Sequence, residues 1–456
     1  MSVKQLQRRE FLRRSSALGL MGTAAPWALN LAAMAEASAQ TASDYKALVC
    51  VFFYGGNDYA NTVVPYDATT YASYAQIRQT LATARDQLLP LTPSTALPGG
   101  AQLALAPQLT RMKGLFDAGS LGVLLNVGTL VQPTTLAQYQ AQSVPLPPKL
   151  FSHNDQQSVW QASSPEGAIS GWGGRMGDLF LSGNGNATFT CINVSGNAVF
   201  MAGQQAVQYQ IAPSGAVAIN AITKPLYGSQ ACADALRSLI TANNRSHWME
   251  SELNTVVSRS VNAQGIVSSA LAGLPALATP FDTANNLAMQ LQMVAKLIAA
   301  RSSLGAKRQV FFVSLGGFDL HDFLVDQHPG LLSNIDGALG SFQAAMTELG
   351  VAQQVTAFTA SDFGRTLTSN GDGSDHGWGS HHFVMGGAVK GGRFIGDMPE
   401  YGLGGAHDVG QGRLLPGTAV DQLGATLATW MGVSAGDLPL VLPQIGNYSV
   451  KDIGIF

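Results

Sequence analysis

The chain is expected to fold as α/β, a doubly wound, mostly parallel sheet with helices on both faces. Three observations carry this expectation. Ala47–Phe53, Leu121–Val127, Gln309–Leu315 and Val355–Thr359 are largely apolar runs without polar alternation, as in strands covered on both faces. Between them, apolar residues recur at helical spacing, at Leu287, Leu291, Val294 and Ile298 and again at Leu332, Ile335, Leu339, Phe342, Met346 and Leu349. Strands also end in glycine turns, Tyr54-Gly55-Gly56 and Gly316-Gly317, and strands alternating with helices favour parallel crossovers.

Taken in order, Ala106–Phe116 reads as a helix with Pro107 near its first turn, leading into the strand at Leu121. Ser152, with Asp155 three residues on, forms a capping-box pattern opening a helix through Val159 and Trp160. A helix start also suits Ser152 as a nucleophile or an anion contact, because free amides favour negative charge there. Gly171–Arg175 reads as a glycine loop whose Arg175 could hold an oxyanion. Residues 181–282 are rich in Gly, Asn, Ser and Ala with weak periodicity, and are expected to form an inserted irregular region. Thr418–Asp421 looks like a cap before a closing helix carrying Leu423, Leu427 and Trp430. Residues 44–456 are thus expected to form one domain.

The 456 residues are 46% apolar and 12% charged, enough for a large core under a lightly charged surface. A formal charge of −3 and the lack of a basic run argue against a nucleic-acid partner. Arg8-Arg9, a weakly apolar stretch from Ala17 to Ala35, and Ala37-Ser38-Ala39 have the three parts of a twin-arginine export signal over residues 1–39. Pro26, Asn30 and a shortage of Leu, Ile and Val weigh against a permanent anchor, so no integral span is expected after cleavage. The expected location is periplasmic or extracellular, and that export route suits a cofactor loaded before transport. Cys50, Cys191 and Cys232 allow at most one disulfide, and spacing leaves any Cys191–Cys232 pairing open.

The chemistry is expected at strand ends. Asp58, Asp319 and Asp362 each follow a buried run, and the C-terminal ends of parallel strands share one rim, where open α/β sheets bind ligands. His321 follows Asp319 by two residues, and His376, His381 and His382 lie within seven residues of one another beyond a glycine-rich loop. Imidazoles with carboxylates suit a divalent metal, one or two ions: zinc, manganese or iron, or calcium or magnesium if carboxylates dominate. Two ions would clamp an anionic substrate.

The motifs GGNDYANTVVPY (55–66), GGFDLH (316–321), SDFGRT (361–366) and DHGWGSHHFVMGGAVKGG (375–392), with the arginine pair, strongly resemble the exported bacterial family called domain of unknown function 1501. That family is grouped with the alkaline phosphatase and sulfatase superfamily, and the resemblance covers nearly all of residues 44–456. It implies Asp58 as the first-strand metal aspartate, Ser152 as nucleophile, Asp319 and His321 as ligands of one ion and Asp362 of the other. His381 or His382 would be the late histidine, with Arg175 or Arg365 on the substrate's oxygens. The pattern departs from phosphatases in its two-residue Asp-to-His spacing and in Phe363, which stands where they place a histidine; His376 could substitute. The implied activity is metal-dependent hydrolysis of phosphate or sulfate esters, with a small anionic ester as substrate. The alternative is a non-catalytic exported protein of the same fold that binds a metal or another exported protein. A redox enzyme is disfavoured, since no Cys motif or dinucleotide fingerprint is present.

Overall fold

The computed structural model describes residues 45–242 and 246–456; the expected export signal, residues 1–39, lies outside them. In chain order the strands are β1 (Lys46–Phe53), β2, β3 and β4 in a small separate sheet (Val63–Pro65, Leu89–Pro90, Leu103–Leu105), β5 (Leu121–Gly128), β6 (Cys191–Asn193), β7 (Tyr209–Gln210), β8 (Arg308–Leu315), β9 (Val355–Ser361), β10 (Ser380–Gly386), β11 (Phe394–Ile395) and β12 (Thr418–Ala419). The main sheet has nine strands in the order β11-β5-β10-β9-β1-β8-β6-β7, with β12 also paired to β5. Every pairing is parallel except those of β10, which runs against both β5 and β9.

Nine of the longer helices are used below: α1 (Ala68–Arg78), α2 (Thr110–Asp117), α3 (His153–Ala162), α4 (Trp172–Asp178), α5 (Gln230–Thr241), α6 (Trp248–Ala272), α7 (Asn286–Ala299), α8 (Leu324–Glu348) and α9 (Val420–Met431). β1 shows why both faces of the sheet need covering. Its alternate residues Ala47, Val49, Val51 and Phe53 enter a core shared with α2, α7 and α8. Leu48, Cys50 and Phe52 enter a second core shared with α3, α4 and α9. A strand apolar at every position is stable only when both sets of side chains leave water, which is the doubly wound arrangement.

Residues 181–282, where the sequence shows little periodicity, hold the edge pair β6 and β7 as well as α5 and α6. Helix α8 begins at Leu324, ahead of the apolar stripe that opens at Leu332, and runs through Pro329. Cys50 and Cys191 are buried, Cys232 is exposed, and all three are free thiols. Among the described residues no helix is long and apolar enough to cross a membrane.

Candidate metal centre

Strands β9, β1 and β8 lie side by side and finish level, Phe53 standing opposite Leu315 on one side and Ser361 on the other. The turns that leave them therefore share one rim. Gly55 lets these turns touch: it has φ +115°, and a Cβ there would lie 2.4 Å from the Asp319 backbone nitrogen. Its own N–H donates to Asp362 Oδ2 at 3.0 Å. Gly373 plays a similar part for the loop after β9, because a Cβ at that position would lie 2.1 Å from the His321 carbonyl oxygen.

Asp319 Oδ1 is where the side chains converge. His153 Nε2 lies 3.3 Å from it, His321 Nε2 3.2 Å and His376 Nε2 3.3 Å. Arg365 Nη1 donates to the same oxygen at 3.0 Å. His321 Nε2 and His376 Nε2 are 2.9 Å apart. The ligand atoms of His153, Asp319 and His376 all lie within 4.8 Å of one another. Helix α3 presents His153 in its first turn, the β8 turn presents Asp319 and His321, and the loop after β9 presents His376.

The opposite nitrogen of each ring is tied down. His153 Nδ1 donates to Asp362 Oδ2 at 2.6 Å, and that oxygen also accepts from Gln157 Nε2 at 2.8 Å. His321 Nδ1 faces Asp375 Oδ1 at 3.1 Å. His376 Nδ1 lies 2.8 Å from the Phe151 carbonyl oxygen, which can only accept, so the proton of this ring is on Nδ1 and the Nε2 lone pair faces Asp319. Partners on the far nitrogen that fix tautomer and ring plane are what ligating histidines have.

The charges agree with a cation at this point. Burial would lower the His153 pKa, but its hydrogen bond to Asp362 and the charges of Asp362 and Asp319 outweigh this and raise it. Burial lowers that of His376, so this ring stays neutral. For Asp319, burial opposes ionisation, yet Arg365 and then the histidines hold its carboxyl below the usual range. The donor set passes a direct test of fit: His153 Nε2 is buried without a hydrogen-bond partner, and the His376 lone pair is aimed at a carboxylate oxygen. A cation placed between these two acceptors would satisfy both.

The other residues expected at the site lie as follows. Asp362 touches the centre through His153 rather than within the ligand group. Asp58 is buried in an ion pair with Arg78 of α1, whose Nη1 also donates to the Thr366 carbonyl, so a guanidinium occupies the place expected for a metal. His381 and His382 lie inside β10 and are almost fully buried. His381 accepts from the Asn126 N–H at 3.0 Å and meets the Tyr401 hydroxyl at 2.6 Å; His382 packs edge-on to Trp160 with both ring nitrogens unpartnered. Burial pushes both rings down to about 3. Ser152 donates to Asp155 at 2.8 Å and makes no capping bond. Arg175 is not on a loop but in α4, donating to the carbonyls of Val441, Ser170 and Ala162. The glycines around it serve close packing, since a Cβ at Gly171 or Gly174 would lie 2.3 Å or less from backbone atoms between Val199 and Ala202.

In the sequence His153 reads as a residue in a helix's first turn and as a conceivable general acid, and not as a metal ligand. The signal that could have singled it out is its place at a helix start facing the rim, beside the Ser152 considered for catalysis.

A family model described as "Protein of unknown function (DUF1501)" matches residues 45–440. The chain belongs to that family. No curated protein matches this DUF1501 chain. Among solved structures it is similar to a sulfatase from Pseudoalteromonas sp. (8% identity, 90% of this chain and 72% of that one, TM-score 0.36). It is also similar to the lipoteichoic acid synthase LtaP from Listeria monocytogenes (9%, 89% and 77%, 0.36). A third likeness is to the C-terminal periplasmic domain of EptC from Escherichia coli in complex with Zn (10%, 89% and 88%, 0.36).

Proposed function

We propose that this DUF1501 protein is an exported hydrolase of small anionic esters, phosphate or sulfate, that works with one divalent ion held by His153, Asp319 and His376, with His321 beside Asp319 and His376. The observation that carries the reading is the convergence of three imidazole nitrogens on one carboxylate oxygen at a strand-end rim. A tetrahedral zinc site with ligands at 2.0–2.1 Å has ligand-to-ligand edges of about 3.3 Å, close to the separations from Asp319. Imidazole-rich sets suit zinc and its neighbours in the first transition row, whereas calcium and magnesium seek oxygen. A bound ion would supply Lewis acidity and lower the pKa of water.

The chain's own residues do the rest. Arg365 holds Asp319 in place and adds positive charge where an anionic ester would approach. Asp362 and Asp375 orient His153 and His321. Because the Ser152 hydroxyl is committed to Asp155, water is the favoured nucleophile, with Ser152 as the competing source of the attacking oxygen. The Asp58–Arg78 pair favours one ion over two.

Elemental analysis of the protein purified after export should give about one transition-metal ion per chain, and Asp319→Ala should abolish both metal retention and hydrolysis of aryl phosphates or sulfates. Protein without metal would remove the reading. Metal with no turnover on any such ester would favour the non-catalytic, partner-binding alternative.

A further inference from the structure

The rim that carries Asp319 continues sideways to a cavity that the reading above leaves unused. Strand β5 runs parallel to β9, since β10 is antiparallel to both, so the chain leaving β5 emerges on the same edge as the turns after β8 and β9. There Leu130, Leu136, Ala137, Leu415, Pro416 and Tyr448 wall a cavity of about 660 Å³. Two lines of contact tie it to the candidate metal centre. Trp378, two residues past His376, donates its indole N–H to the Thr129 carbonyl at 2.7 Å. Its ring packs on Tyr139 of the short helix Leu136–Ala141, with centroids 5.7 Å apart. Arg413 Nε donates to the His376 carbonyl at 2.7 Å, and Leu415 stands two residues further along the same segment.

The walls define what fits. None of the described residues lining the cavity is an Asp, Glu, Lys or Arg. The Tyr448 hydroxyl is committed to the Leu130 carbonyl at 3.0 Å, and Gln422 accepts from the Ala419 N–H and donates to the Val450 carbonyl. A charged group would lose its hydration there without gaining a partner, whereas an apolar body would release water from the leucine and proline walls. One polar atom is accommodated as well: His407 Nδ1, in the same wall, is buried without a hydrogen-bond partner. The volume lies in the range of small-molecule sites and exceeds what a phosphate or sulfate alone would fill.

We infer that this cavity takes the uncharged, mostly apolar alcohol part of the ester while its phosphate or sulfate group sits at the metal centre, an inference that rests on the hydrolase reading above. The rim is divided as such a substrate is divided, with Asp319, Arg365 and the histidines at one place and neutral walls at the other.

The p-methylphenyl and p-butylphenyl esters of phosphate and of sulfate test this, because they differ only in alkyl length. With the metal-loaded full chain, KM should be at least about tenfold lower for the butyl ester. Ala137→Trp, which fills the cavity from an exposed position of its wall, should remove that advantage while leaving circular dichroism and metal content unchanged. Equal KM values for the two esters, or an advantage untouched by Ala137→Trp, overturns the inference and leaves the hydrolase reading standing. If neither ester is hydrolysed, equilibrium dialysis of p-butylphenol separates the two claims. Binding that Ala137→Trp weakens by at least about tenfold supports a site for apolar alcohols while the hydrolase reading falls, and no binding overturns both.

Discussion

Two sets of three histidines lie on or beside the same sheet, and they are built in opposite ways. His153, His321 and His376 are partly exposed at the rim, each with one ring nitrogen held by a carboxylate or carbonyl and the other turned to Asp319. His328, His381 and His382 are buried, and burial pushes their pKa values down to about 4, 3 and 3. The first set gathers negative charge around its free nitrogens, while the second is kept neutral by burial, which at His328 outweighs the nearby charge of Asp58. A histidine becomes a ligand through what its other nitrogen meets, and proximity in sequence to other histidines says little about that.

Removing a member of each set would break this contrast most directly. His376→Ala or His153→Ala should lower metal affinity by more than about 100-fold, read by metal titration, while His381→Ala should leave metal stoichiometry unchanged and cost stability instead. Acid should act on the buried set. These rings are neutral when folded and titrate near 6.5 when unfolded, so the unfolded chain takes up more protons below that pH. Their stability contribution is complete above about pH 6.5 and is lost as pH falls towards 4 and 3. At pH 4.5 the loss approaches roughly 3 kcal/mol for each of His381 and His382, measurable by denaturant melts at pH 7 and 4.5. His382→Phe should make that pH dependence shallower.

Smaller effects sharpen the comparison. Asp362→Asn should weaken metal binding by about 10- to 100-fold with the fold intact, because Asp362 acts through His153. Ser152→Ala should change metal affinity by less than about twofold. Equal losses in these two variants would show that the rim is disturbed generally rather than through the orientation of His153.

Much of this was legible in the sequence because burial and periodicity leave local marks. The apolar runs placed β1, β5, β8 and β9, and Asp319, His321 and His376 follow strands whose ends had to meet. What was not legible depended on partners far along the chain. Asp58 gives no sign of Arg78, whose helix has little apolar periodicity. β10 reads like the other strands, yet it runs antiparallel, and both of its histidines are enclosed within the sheet's two cores. The glycines at 171, 173 and 174 resemble a loop because the same residue serves turns and close packing alike. The role of His153 required knowing that α3 begins against the turns after β8 and β9.

The four side chains around Asp319 Oδ1, His153, His321, His376 and Arg365, come from widely separated stretches of the chain. An ion held among them would act as a clasp, fastening a helix start and two loops that no strand pairing links. Such a clasp can close only late in folding, and withdrawing the ion should loosen the rim while the sheet beneath it stays paired.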